Sequence, residues 1–171
     1  MLLTMGPSLS DLLRTLACTG LSILSLSTTQ AQTTVKDAAA TTCSTTIAAD
    51  DAYHFIPNHI DVPQLCQDFT VTLKHTGRLP KAAMGHNWVL TTKADAPGVA
   101  KDGLIAGLDN NFVTPGDKRI IASTKVIGAG DTTEIRFPVS ALKPDETYTF
   151  QCSFGGHSAL MQGSLRLSKT R

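Results

Sequence analysis

Tyr148-Thr149-Phe150-Gln151-Cys152-Ser153-Phe154-Gly155-Gly156-His157-Ser158-Ala159-Leu160-Met161 begins as a strand and ends as a loop. Tyr148, Phe150 and Cys152 alternate with Thr147, Thr149 and Gln151. That period of two puts one set on the buried face of a sheet and the other on its outside. Cys152 therefore points inward with the two rings. Gly155 and Gly156 let the chain turn back tightly, which brings His157 near that sulfur, and Met161 returns a thioether to the same end. The alternation recurs around Phe69, Val71 and Leu73, around Ile135, Phe137 and Val139, and around Leu165 and Leu167. Further strand candidates are 43–48, 59–62, 87–90 and 120–126. Thr76-Gly77, Gly128-Ala129-Gly130-Asp131 and Lys143-Pro144-Asp145 supply turn signals between them. Many short strands of this kind predict an all-β fold, a two-sheet sandwich or a barrel. One stretch departs from it. Pro97 and Gly98 precede Val99, Ala100, Leu104, Ile105 and Leu108, whose patchy helical spacing predicts a short helix or an irregular flap within 93–108.

The rest of the chain bounds the classes of function. With 171 residues, 42% of them hydrophobic and 17% charged, it is too apolar to be disordered. A net charge of +1 gives no electrostatic footprint for nucleic acid. Leu16–Leu26 is apolar, follows Arg14, and is succeeded by small and polar residues up to Ala31. That order predicts a secretory signal over 1–31, and eleven apolar residues are too few to span a bilayer. Cys18 could be read as a lipidation site, but Thr15 at position −3 and the interrupting Arg14 argue against it. Residues 32–42 read as a short polar tether and 43–171 as the folded domain, large enough to bury a core of its own.

Three cysteines remain after removal of the signal. In an oxidising compartment the simplest reading of Cys43 and Cys66 is a disulfide, with a pair of free or metal-binding thiols as the alternative. Cys152 is then odd: reactive, metal-bound or merely buried. Its neighbours favour metal. The spacing is Cys-x4-His-x3-Met, and Met84-Gly85-His86-Asn87-Trp88 offers a second imidazole just before a strand. A thiolate, two imidazoles and a thioether are the donor set of a blue-copper electron-transfer site. The soft sulfurs stabilise Cu(I), while imidazole accepts both oxidation states. Two other readings use the same residues: a Cys–His enzyme with Cys152 as nucleophile and His157 as base, and a module that stores or delivers zinc or copper.

The motifs GHNWVL at Gly85–Leu90, DGLIAGLDNNF at Asp102–Phe112 and CSFGGHSALM at Cys152–Met161 resemble those of the azurins, in the cupredoxin family. The resemblance runs from about Cys43 to Lys169. It implies an eight-stranded Greek-key β-sandwich with one helix outside it, and a periplasmic, monomeric one-electron carrier that is not an enzyme. It implies one copper per chain, bound by His86, Cys152 and His157 in a plane, by Met161 on the axis and by the Gly85 carbonyl opposite. It also implies a Cys43–Cys66 disulfide and hydrogen bonds from the Asn87 and Phe154 N–H groups to the ligand sulfur. An apolar patch of Leu79, Met84, Leu104, Phe154, Ala159 and Leu160 would surround the exposed edge of His157. Redox proteins such as c-type cytochromes or copper nitrite reductase would dock there. Azurins usually carry Pro where this chain has Gly155, which loosens the loop, and a surface His of some azurins is Ser123 here. His75 matches a partly buried azurin His and is read as structural or pH-linked. His54 and His59 are read as surface residues, and Trp88 as a core anchor.

Overall fold

The computed structural model describes residues 42–168. The expected signal, Cys18 and all but the last residue of the tether lie outside the described residues. In chain order the strands are β1 (Ser44–Ala49), β2 (Phe55–Ile56), β3 (His59–Pro63), β4 (Asp68–His75), β5 (Val89–Thr92), β6 (Ile120–Ser123), β7 (Thr132–Pro138), β8 (Tyr148–Gln151) and β9 (Gln162–Ser168). They form two sheets, one ordered β2-β1-β4-β7 and the other β3-β9-β8-β5-β6. Only Pro57 and Asn58 separate β2 from β3. The two are a single run that leaves one sheet and enters the other, and counted as one they give the eight strands expected. The pairings β1–β4 and β3–β9 are parallel and the rest antiparallel.

The inward residues of the alternating strands meet between the sheets. In β4, Phe69, Val71, Leu73 and His75 are all buried, with Phe69 opposite Phe137 of β7. Trp88 is fully buried and lies against Phe137 and Phe150, with ring centroids 6.3 and 5.5 Å away. Phe55 covers Phe150 from the sheet-switching run at 5.5 Å. Each large side chain withdrawn from water in this way contributes on the order of 2 kcal/mol, and the aromatic centre shares that role with the buried aliphatic residues of both sheets. Trp88 is the core anchor its position suggested.

Two strands differ from their expected bounds, both next to the site. The strand expected at 87–90 runs instead from Val89 to Thr92. His86 makes only an isolated bridge, to Ile127, and the Asn87 side chain is engaged with two loops. The strand expected at 120–126 stops at Ser123. Beyond it Thr124 donates its N–H to the Trp88 carbonyl, while the Val126 N–H turns to the Asn111 side chain at 2.9 Å, so the ladder cannot continue.

The short helix is α2 (Ala96–Ala106), preceded by a single turn, α1 (Lys81–Met84), that the sequence pattern did not suggest. Pro97 falls in the first turn of α2, where its missing N–H costs nothing. Gly107, at φ 68°, ends it in the left-handed region. Val99, Ala100 and Gly103 face the sandwich, and Gln151 donates to the Ala96 carbonyl at 2.7 Å to hold the helix start on β8. Leu104 and Ile105 face outward, Ile105 with 82% of its surface exposed.

The disulfide is Cys43–Cys66, with the Cα atoms 5.6 Å apart. Cys43 sits beside the first residues of β4, accepting the Thr70 N–H. His75, which stacks on His86, ends the same strand, so bridge and site are separated by the length of β4, roughly 20 Å. Replacing both cysteines by Ser should lower unfolding stability by about 3 kcal/mol. The visible spectrum of copper-loaded protein should stay unchanged, which urea titration and absorption read separately.

Candidate metal centre

Segments far apart in sequence deliver the side chains. Cys152 follows β8 directly and Met161 precedes β9. The loop between them closes on itself, with the Met161 N–H on the His157 carbonyl at 2.8 Å and the Cys152 N–H on the Met161 carbonyl at 3.0 Å. Gly155 and Gly156 take φ values of 44° and 90°. These are left-handed conformations that suit glycine, and a proline, locked near −65°, cannot take the first of them. The loop at Gly155 thus follows a path closed to the usual azurin residue. His86 enters from the other side, fixed by reciprocal backbone bonds with Ile127 at 3.0 and 2.9 Å. Gly85 precedes it because nothing larger fits: a Cβ there would lie 2.7 Å or less from the Lys81 carbonyl, Phe154 and Val126.

The side chains converge. The Cys152 Sγ lies 3.7 Å from Nδ1 of His86, 3.7 Å from Nδ1 of His157 and 3.9 Å from the Gly85 carbonyl. The three strong donor atoms lie within 4.8 Å of one another. Sulfur and nitrogen bound to one transition-metal ion in a trigonal plane, at lengths of about 2.3 and 2.0 Å, stand roughly 3.7 Å apart. The spacing fits an ion held by all three. His86, Cys152 and Met161 are wholly buried and His157 nearly so. The donor set, one thiol with two imidazoles and a thioether close by in the chain, is that of a soft, redox-active metal and suits copper.

The electrostatics agree. Burial pushes the Cys152 thiol up to about 11, against the opposing effect of N–H groups from Asn87 and Phe154. A reactive cysteine shows the reverse, a lowered pKa and some exposure, so this thiol lacks the character of an activated nucleophile. Burial also lowers both imidazoles, His86 to about 4 with added repulsion from His75 and His157. Both rings are therefore neutral at pH 7, as metal ligation requires. The His86 Nε2–H donates to the Asp50 carbonyl at 2.9 Å, leaving Nδ1 as the bare acceptor that faces the sulfur.

Residues 41–168 match the family of copper binding proteins described as the plastocyanin/azurin family. The chain belongs to that family. It is 51% identical over 127 residues to azurin iso-2 of Methylomonas sp. strain J, covering 74% of this chain and 98% of that one. It is 54% identical over 125 residues to the azurin of Pseudomonas denitrificans, covering 73% and 98%. A solved structure of the azurin Az-iso2 from the obligate methylotroph Methylomonas sp. strain J superposes with a TM-score of 0.73 at 51% identity, covering 75% of this chain and 99% of that one. Family membership makes the chain a blue-copper electron carrier on a cupredoxin sandwich.

Against the expectations carried by the family's motifs, His75 is completely buried rather than partly. Its Nε2 bonds the Met84 carbonyl at 2.9 Å and its Nδ1 accepts the Gly77 N–H at 3.1 Å, so both nitrogens have structural partners. His54 and His59 are exposed, as expected. Leu79, Leu104, Ala159 and Leu160 are exposed and Met84 half-buried, whereas Phe154 is buried. Phe154 is a correction to the patch: it is buried and packs its ring against His157, with 5.0 Å between centroids.

Two supporting residues, Asp50 and Tyr53, go unnoticed in the sequence, and Asn87, expected there only for its backbone N–H, also works through its side chain. Asn87 donates to the Asn111 carbonyl and to Ser153 Oγ and accepts the Ser153 N–H at 2.9 Å, tying the two metal-facing loops together. Its place beside His86 was the signal available. Asp50 and Tyr53, which reach the two imidazoles, had none, since the contacts depend on how the turn after β1 folds over the site.

A histidine lowered by burial resists folding in acid. Its contribution is complete above the unfolded value near 6.5 and is lost as pH falls toward the folded value. The urea midpoint of metal-free protein should therefore fall from pH 6.5 to about 4. His86→Gln should flatten that slope.

Proposed function

We propose that His86, Cys152 and His157 are the strong ligands of one copper ion, with the Met161 thioether and the Gly85 carbonyl as weak ones, and that the ion serves electron transfer. The reading is carried by one observation. A thiol and two neutral imidazoles, drawn from positions 66 and 5 residues apart, meet with sulfur–nitrogen distances of 3.7 Å at a buried end of the sandwich. Copper, when bound, supplies the Cu(I)/Cu(II) couple that takes up and gives back one electron.

The side chains do the rest. Asn87 and Phe154 direct N–H groups at the sulfur, which favours the thiolate and tunes its donation. The buried rings exclude water. Asn87, Ser153 and the Asp50 carbonyl hold the donors in place, so little needs to move when the charge changes. His157 is the donor nearest solvent, and it is the exit we assign to the electron. Leu160 is 73% exposed, and Leu79, Leu104 and Ala159, which the family resemblance places around His157 with it, are exposed as well. An uncharged patch of this kind suits small, short-lived contacts with redox proteins, such as c-type cytochromes or copper nitrite reductase.

The surrounding assignments belong to the same reading. The chain is exported by its leader at 1–31 to the periplasm, carries a tether at 32–42, and works as a monomeric carrier and not as an enzyme through the domain at 43–171. No helix among the described residues is long and apolar enough to cross a membrane.

Copper(II)-loaded protein should show an intense thiolate-to-copper absorption band in the visible, with the narrow copper hyperfine splitting of a thiolate-bound site in its EPR spectrum. Cys152→Ser should abolish both while leaving the fold intact by circular dichroism. A wild-type protein that binds copper(II) and stays colourless would sink the ligand assignment. Leu160→Glu should leave the spectrum alone and slow reduction by a protein donor.

A further inference from the structure

The turn between β1 and β2 touches both imidazoles of the site. Asp50 closes that turn: its Oδ1 accepts the N–H groups of Ala52 and His54 at 2.9 and 3.0 Å, and its Oδ2 pairs with His54 Nδ1 at 3.0 Å. The Asp50 carbonyl holds His86. Three residues on, the Tyr53 ring meets His157 edge to face, with centroids 4.8 Å apart and planes at 84°. Tyr53 takes a φ of 65° to get there. For a bulky residue that conformation is costly and persists only where its surroundings impose it.

His157 needs an outside restraint. It follows Gly155 and Gly156, both at positive φ and with open space where a Cβ would stand; its carbonyl is held by the Leu160 and Met161 N–H groups, but no side chain of the two glycines bounds its ring. Phe154 bounds one side of the ring at 5.0 Å, but Phe154 belongs to the same loop and moves with it. Tyr53 comes from a different part of the fold, packed against the core and pinned by the Asp50 cap.

We propose that Tyr53 is a positioning residue for His157: its ring, carried on the Asp50-capped turn, supplies the confinement that the Gly155-Gly156 loop does not. The same turn thereby sets His86 through a backbone carbonyl and His157 through an aromatic edge. The inference rests on the ligand assignment above for its meaning in copper binding, but the contact itself is tested without metal.

Two variants separate the ring from its hydroxyl. Tyr53→Leu keeps apolar bulk and removes the aromatic edge, whereas Tyr53→Phe keeps the edge. In metal-free protein, NMR relaxation of the His157 imidazole should show a lower order parameter in Tyr53→Leu and the wild-type value in Tyr53→Phe. In copper-loaded protein, loss of copper to a chelator should be roughly 2- to 10-fold faster in Tyr53→Leu and near wild type in Tyr53→Phe. An imidazole as ordered in Tyr53→Leu as in the wild type overturns the proposal, as do equal losses of order in both variants. Failure of the ligand assignment would show elsewhere, as a colourless wild-type protein, and leaves the metal-free comparison decisive for Tyr53.

Discussion

The His86 ring has two nitrogens, and the bond from Nε2–H to the Asp50 carbonyl decides which one is free. Buried and neutral, the imidazole can donate once and accept once. With the donor spent on Asp50, the acceptor can only be Nδ1, and Nδ1 faces the Cys152 sulfur. Reversing this tautomer would leave a buried carbonyl without its donor and aim an N–H at the metal position. That loss is of the kind that costs a few kcal/mol in a buried setting. One backbone oxygen thus makes a chemically ambiguous ring into a directed donor.

The rest of the site follows from the same demand that buried polar atoms be satisfied. Asn87 uses both ends of its amide, and Ser153 both donates to the Phe112 carbonyl and accepts from Asn87. Every such bond joins loops that leave different strands, so the loops cannot drift independently of the sheets. A cluster so cross-linked inside a low-dielectric region strengthens its own bonds. It also resists rearrangement, which is what an electron carrier needs if the transfer is not to wait on motion of the protein.

Much of this was legible before any coordinates. Period-two runs located four of the strand segments, because a strand with one buried face must alternate, and the turn signals between apolar stretches suggested four more. The donor residues stood out because a thiol, an imidazole and a thioether at Cys152, His157 and Met161 fall within ten residues on either side of a glycine turn. What stayed hidden depended on contacts across the fold. Nothing in Asp50 or Tyr53 as letters distinguishes a surface turn from one folded over a buried site. The ends of β5 and β6 were misplaced for a related reason: His86, Asn87 and Val126 have strand-compatible neighbours but form their bonds with loops. Phe154 entered the exposed patch only through the family resemblance, and its ring is instead buried against His157. The spacing of apolar residues in α2 did not say which side meets the sandwich, and only the family resemblance put Leu104 on the outside, where it is.

The single indole of the chain sits at the centre of this arrangement, stacked between rings from both sheets, and its Nε1–H has no hydrogen-bond partner among the described residues. Its excited state is thus flanked by the hydrocarbon rings of Phe137 and Phe150, and the indole is fully buried. Light emitted by Trp88 should come out at the short-wavelength limit for tryptophan and move to longer wavelength only when the two layers part. The protein carries its own optical gauge of whether its interior is sealed.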